Sequence, residues 1–201
     1  MIRLNNIECG YGNKSVLSDV NISINRENVT CLLGRNGSGK TTLFKTILGL
    51  LPPLNGCVEI CGSSIEKYSA KERAKLIGYV PQAHATPFPF SVFEVVLLVL
   101  VLIAMDEPTA NLDLGNQSTV LGIAQMLKHQ GYGVIMNTHA PEHVFNIADK
   151  VLLLDKGKVR ISGKPDDIIN SKIISELYDT NIELIHTQSS DGKNHTVCVY
   201  N

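Results

Sequence analysis

The sequence predicts an α/β fold with a mostly parallel core sheet and an N-terminal antiparallel β subdomain. Three observations carry that expectation. Gly34-Arg35-Asn36-Gly37-Ser38-Gly39-Lys40-Thr41-Thr42 matches G-x-x-x-x-G-K-[ST] and stands between an apolar, β-branched run and a stretch of helical spacing. After it, short apolar runs alternate with helical segments. Before it, two segments of alternating apolar and polar residues flank a glycine-bounded turn.

Residues 2–8 alternate as a half-buried strand does, and Gly10-Tyr11-Gly12-Asn13-Lys14 reads as a turn. Residues 16–24 alternate again, and Asn25-Arg26-Glu27-Asn28 turns the chain into a buried strand over 28–33. In the loop that follows, Gly34, Gly37 and Gly39 permit positive φ and close approach of backbone to phosphate. Lys40 would neutralise the β- and γ-phosphates, and the Thr41 hydroxyl would ligate Mg²⁺. Strand, loop and a helix over 42–48 aim free N–H groups and a helix N-terminus at an anion, so this is a nucleotide-binding P-loop NTPase core.

Pro52-Pro53 ends the first helix. A strand over 57–62, a helix over 70–76 and a strand over 77–82 follow, the last closed by Pro81. On spacing alone, Gln82 is either a polar loop residue or a group reaching Mg²⁺ or an attacking water, and Tyr11 is either an exposed turn residue or a stacking surface for a purine. An apolar run over 97–105 leads into Asp106-Glu107. A buried strand there would deliver Asp106 to the Mg²⁺ shell, while Glu107 polarises a water for in-line attack on the γ-phosphate. The wider apolar stretch over 92–105 is too short to cross a membrane, Glu94 interrupts it and the acidic pair caps it, so a buried strand is expected.

A turn over 108–113 leads to a helix over about 116–129, stopped by Gly131-Tyr132-Gly133. The strand over 134–138 ends at His139, whose role depends on where it stands relative to the phosphate loop. Residues 141–148 are helical, 151–159 form a hairpin with Asp-Lys-Gly-Lys at its tip, and 166–201 give short helices and two strands around a turn at 189–194.

The length suits one domain, and a net charge of −1 from interspersed acids and bases carries no nucleic-acid footprint. The cysteines are odd in number. Cys31, Cys57 and Cys198 lie in apolar or β-branched runs, which predicts buried free thiols in a reducing cytosol. Cys57-x-x-x-Cys61 is half of a metal pattern with no second pair nearby. Met1-Ile2-Arg3-Leu4 has no signal-peptide pattern, which predicts a cytoplasmic location.

With these pieces placed, the chain resembles the nucleotide-binding subunit of ATP-binding cassette (ABC) transporters over nearly its whole length. Tyr11 falls where that family has its adenine-stacking aromatic, and Gly34 to Thr42 form its Walker A loop, with Asn36, Ser38 and Thr42 among the nucleotide contacts. Tyr79-Val80-Pro81-Gln82 resembles the Q-loop, which implies that Gln82 meets Mg²⁺ and the transport subunits. Met105-Asp106-Glu107-Pro108-Thr109 resembles Walker B with Glu107 as catalytic carboxylate. Ala110-Asn111-Leu112-Asp113 resembles the D-loop, and Thr138-His139 the switch histidine that holds the γ-phosphate. The phrase over 87–96 is similar to importers of iron–siderophore, haem or cobalamin.

The resemblance implies a Mg²⁺-dependent ATPase on the cytoplasmic face of the membrane. It would work with transmembrane permease subunits, a second copy sandwiching ATP, and an extracytoplasmic binding protein. One departure is large. The family carries a helical subdomain ending in a Leu-Ser-Gly-Gly-Gln-type signature between Q-loop and Walker B, and no such motif occurs here. Within 97–105 the sequence joins fragments that the family keeps apart, with no Gly, Pro or Asn to redirect the chain, which favours residues omitted from the sequence over a true deletion. A true deletion would leave an ATP-binding module with little hydrolysis, because the signature supplies transition-state charge stabilisation.

Overall fold

The computed structural model describes residues 1–82, 101–190, 192 and 194–200. Strands β1 (Ile2–Tyr11) and β2 (Lys14–Ile24) pair antiparallel across the turn at Gly12 and Asn13. β4 (Asn55–Ile60) lines the other side of β1, and β5 (Ser63–Ser64) closes this sheet in the order β2-β1-β4-β5. The expected antiparallel subdomain is therefore present, with β4 as a later addition from beyond the phosphate loop.

The core sheet has six strands in the order β10-β9-β3-β8-β7-β6. They are β3 (Val29–Leu33), β6 (Ile77–Val80), β7 (Leu102–Asp106), β8 (Gly133–Thr138), β9 (Lys150–Asp155) and β10 (Lys158–Gly163). All of its pairings are parallel except the β9–β10 hairpin at one edge. Helices α1 (Lys40–Ile47), α2 (Ala70–Leu76), α3 (Leu114–His129), α4 (Pro141–Ile147), α5 (Pro165–Ile168) and α6 (Ser171–Tyr178) complete the α/β pattern. β11 (Ile182–Gln188) and β12 (Asn194–Tyr200) form a separate C-terminal ribbon.

Every residue of β3, β7 and β8 is buried, as a sheet covered on both faces demands. The period-2 alternation divides their side chains between two cores. Leu32, Ala104 and Ile135 pack with Phe44 of α1 and with β1 and β2, whereas Cys31, Leu33, Met105 and Met136 pack under α3, α4 and α6. α3 begins at Leu114, ahead of the predicted 116, because Asp113 caps it: its Oδ1 accepts from the Asn116 N–H at 2.8 Å.

One cysteine reading needs correction. Cys31 is buried, and so is Cys9, but Cys57 and Cys61 are exposed and Cys198 is half-buried. Cys57 lies on the outer face of the antiparallel sheet, where its Sγ meets the Asn5 amide at 3.7 Å. An apolar run on a sheet covered on one side still turns half its side chains outward. The predicted strand over 97–105 is seen from Leu102. Residues 97–100, and the whole 87–96 phrase that suggested the importer lineage, lie outside the described residues.

Candidate functional site

The phosphate loop leaves β3 and enters α1 through two left-handed glycines, Gly37 (φ 80°) and Gly39 (φ 98°). Gly34 is needed for a different reason than positive φ. A Cβ there would stand 2.6 Å from both the Leu154 carbonyl oxygen and Ser38 Oγ, so only glycine lets the loop lie against β9. α1 starts at Lys40 with no side-chain cap, which leaves its first-turn N–H groups for an anion. Lys40 is buried. Its ammonium donates to the Gly34 carbonyl at 2.6 Å and the Arg35 carbonyl at 3.0 Å. Burial pushes its pKa down, and the charges of Glu107 and Asp106 oppose that.

These residues border a cleft of about 190 Å³ lined by Val16, Asn36, Gly37, Thr41 and Thr42, with Glu107 on its far wall. Among the described residues the buried Ser38 hydroxyl oxygen has no hydrogen-bond partner, as suits a group that meets phosphate.

Sheet register sets the opposite wall. β7 and β8 pair in parallel with Asp106 beside Asn137, and Asn137 Nδ2 donates to Asp106 Oδ1 at 2.7 Å. Tyr79, from β6 on the other side, directs its hydroxyl at Asp106 Oδ2 at 3.5 Å. Burial, and then the Asp106 charge, raises the Tyr79 pKa. The next residue, Glu107, takes the left-handed region (φ 45°), which turns the chain sharply at the strand end. Its N–H donates to the Asn137 carbonyl at 3.1 Å, and its own carbonyl accepts from the Ala110 N–H at 3.0 Å.

Three predicted site residues meet at one atom. Glu107 Oε2 accepts from Gln82 Nε2 at 3.1 Å and lies 3.7 Å from His139 Nδ1. Gln82, Glu107 and His139 also line a larger cleft, about 950 Å³, between α3 and α4. Tyr11 stands apart, exposed at the end of β1, and is not among the residues lining the cradle.

Sequence reasoning missed several partners. Asn137 gave no local signal. Val16 looked like one more alternating strand residue, yet it lines the phosphate cleft. His143, four residues after His139, places Nδ1 3.2 Å from Thr109 Oγ1 and 3.5 Å from Thr138 Oγ1.

Thr41 and Asp106 offer the hard oxygen donors that Mg²⁺ favours. No cluster of three or more His, Cys, Asp or Glu suited to a metal occurs among the described residues. No helix among them is long and apolar enough to cross a membrane.

The ABC transporter family model matches residues 17–199. An ABC transporter ATP-binding protein of Haemophilus influenzae, of uncharacterised function, is 30% identical over 242 aligned positions covering 92% of each chain. The hemin import ATP-binding protein of Shewanella denitrificans is 25% identical over 94% of this chain and 98% of its own. A Helicobacter pylori protein named for iron chelatin transport is 28% identical over 92% and 95%. Among solved structures, a chain from a transporter described as of the metal-chelate ABC type superposes with TM-score 0.78 at 24% identity, covering 100% of this chain and 98% of that one.

Proposed function

The chain belongs to the ABC transporter family, and from that premise we propose that it is the ATP-hydrolysing subunit of an importer for iron–siderophore, haem or cobalamin. The observation that carries the reading is the convergence of Gln82 and His139 on the Glu107 carboxylate, at the wall of the cleft that the phosphate loop opens. In this reading Lys40, Ser38 and the loop N–H groups hold the β- and γ-phosphates. Thr41 and Asp106 hold Mg²⁺, which when bound draws charge from the phosphoryl oxygens. Glu107 orients and polarises the attacking water, Gln82 senses the metal site, His139 steadies the γ-phosphate, and Tyr11 stacks on adenine.

Two such subunits sandwich ATP on the cytoplasmic face of the membrane. Their closure reorients a pair of permease subunits fed by an extracytoplasmic binding protein, and hydrolysis resets the pair. The names of the haem and iron chelatin relatives support the cargo class.

The alignments to those relatives run over 242, 248 and 243 positions against 201 residues here, so the relatives carry residues with no counterpart in this sequence. We assign those residues to the stretch between Gln82 and Leu102, where the family resemblance puts a helical subdomain. An intact mass several kilodaltons above 21.9 kDa would show that the molecule carries such extra residues. A mass of 21.9 kDa would instead support the second reading, an ATP-binding module with little turnover. The cargo is tested by uptake of labelled iron chelate, haem and cobalamin in cells lacking the chain. Loss of one, restored by the wild type and not by Lys40→Ala, is expected; unchanged uptake of all three would overturn the importer assignment.

A further inference from the structure

We propose that Tyr178 and His143 are positioning residues that fix where His139 stands relative to Glu107. The proposal rests on the functional reading above. His139 sits between β8 and α4 with its side chain about half exposed, so packing alone does not hold it. Three contacts fix the loop. The Thr138 hydroxyl accepts the Ala140 N–H at 3.1 Å and folds the connection tightly. The Tyr178 hydroxyl donates to the His139 backbone carbonyl at 2.8 Å. His143 Nδ1 lies against Thr138 and, more closely, against Thr109, two residues beyond Glu107.

Tyr178 can serve as a fixed point because its helix is well anchored. Ile174 and Leu177 of α6 are buried in the second core. Asn170 Oδ1 accepts the Ile173 N–H at the first turn, and Ser175 Oγ both accepts from the Ile182 N–H and donates to its carbonyl. Burial raises the Tyr178 pKa, which keeps its hydroxyl a donor. Burial likewise lowers the His143 pKa, and the nearby His139 adds to that while Glu142 opposes it. A neutral Nδ1 can then accept from the Thr109 hydroxyl. One imidazole thus ties the loop bearing Glu107 to the loop bearing His139, and the C-terminal helix holds the second loop from behind. Small errors in the position of a group facing the γ-phosphate cost rate more than ground-state binding.

The test uses the full chain, alone and assembled with its permease, as wild type, Tyr178→Phe, His143→Ala and His143→Asn. Tyr178→Phe removes one hydroxyl and keeps the packed ring. It should lower kcat about 3–10-fold with KM for MgATP within about twofold. His143→Ala should fall at least as far, and His143→Asn, whose amide oxygen sits near the position of Nδ1, should recover most of the rate. In ¹⁵N-histidine spectra the His139 ring resonance should shift in Tyr178→Phe. A wild-type kcat with an unmoved His139 resonance in Tyr178→Phe would overturn the proposal, as would kcat, KM and melting temperature all moving together in both Tyr178→Phe and His143→Asn. A wild-type chain with no ATPase in the assembly would remove the functional reading, and the His139 resonance would still decide the positioning.

Discussion

The phosphate cradle and the wall opposite it share the Glu107 carboxylate and are built in opposite ways. The cradle is one run, Gly34 to Thr42, shaped by two left-handed glycines and an uncapped helix start. The wall takes Gln82, Asp106, Glu107 and His139 from the C-terminal ends of β6, β7 and β8, brought together by a parallel register in which Asp106 lies beside Asn137. A contiguous motif depends on local backbone freedom. A wall assembled from neighbouring strands depends on register, where a slip of one residue would turn each side chain to the other face.

The largest expected effect separates the two regions by function. Glu107→Gln keeps the shape of the wall and loses its base, so kcat should fall about 10²–10³-fold while MgATP affinity stays within about threefold. A loss of MgATP affinity with kcat unchanged would mean that Glu107 only binds. Next, Gly34→Ala challenges the cradle itself. The new Cβ meets backbone at 2.6 Å, and the overlap should cost about 1–3 kcal/mol in urea denaturation along with ATP binding. Gly12→Ala, at φ 57° with open space around it, should cost only about 1 kcal/mol.

Asn137→Ala probes the register contact. It strips the 2.7 Å hydrogen bond from a buried carboxylate and should destabilise by about 1–2 kcal/mol while weakening Mg²⁺ dependence, with nucleotide-loop binding preserved in ADP titrations. Should ADP affinity collapse as well, the two regions would not be separable.

The smallest effect is a control away from both. Ser69 and Glu72 form a reciprocal capping box at α2, and Ser69→Ala should lower Tm by about 2–4 °C with kcat unchanged. Bonds from the Ser69 hydroxyl and N–H hold the Glu72 carboxyl below its ordinary range. A depressed carboxylate stabilises above its unfolded pKa and loses that contribution as pH falls through the lower folded value. The Tm difference between wild type and Ser69→Ala should therefore shrink in acid.

The phosphate loop, the strand ending at Asp106-Glu107 and the strand ending at His139 were all legible as local patterns, because continuous apolar runs and glycine spacing are read over a few residues. The outward face of Cys57 was not. That depends on which side of β4 another layer covers, and no stretch of residues near Cys57 records it. Nor could Gly34 be distinguished from Gly37, since its need for a missing Cβ comes from Leu154, far along the chain.

By itself, the sequence determined the α/β alternation, the antiparallel start, the nucleotide loop and the identity of the acidic and histidine residues beyond it. Only the tertiary structure decided that Gln82 and His139 meet one oxygen of Glu107, that Asn137 and Tyr79 hold Asp106, and that Tyr178 and His143 flank the His139 loop. Backbone conformation is set over a few residues, whereas distances between strand ends are set by register and by what packs on each face of the sheet.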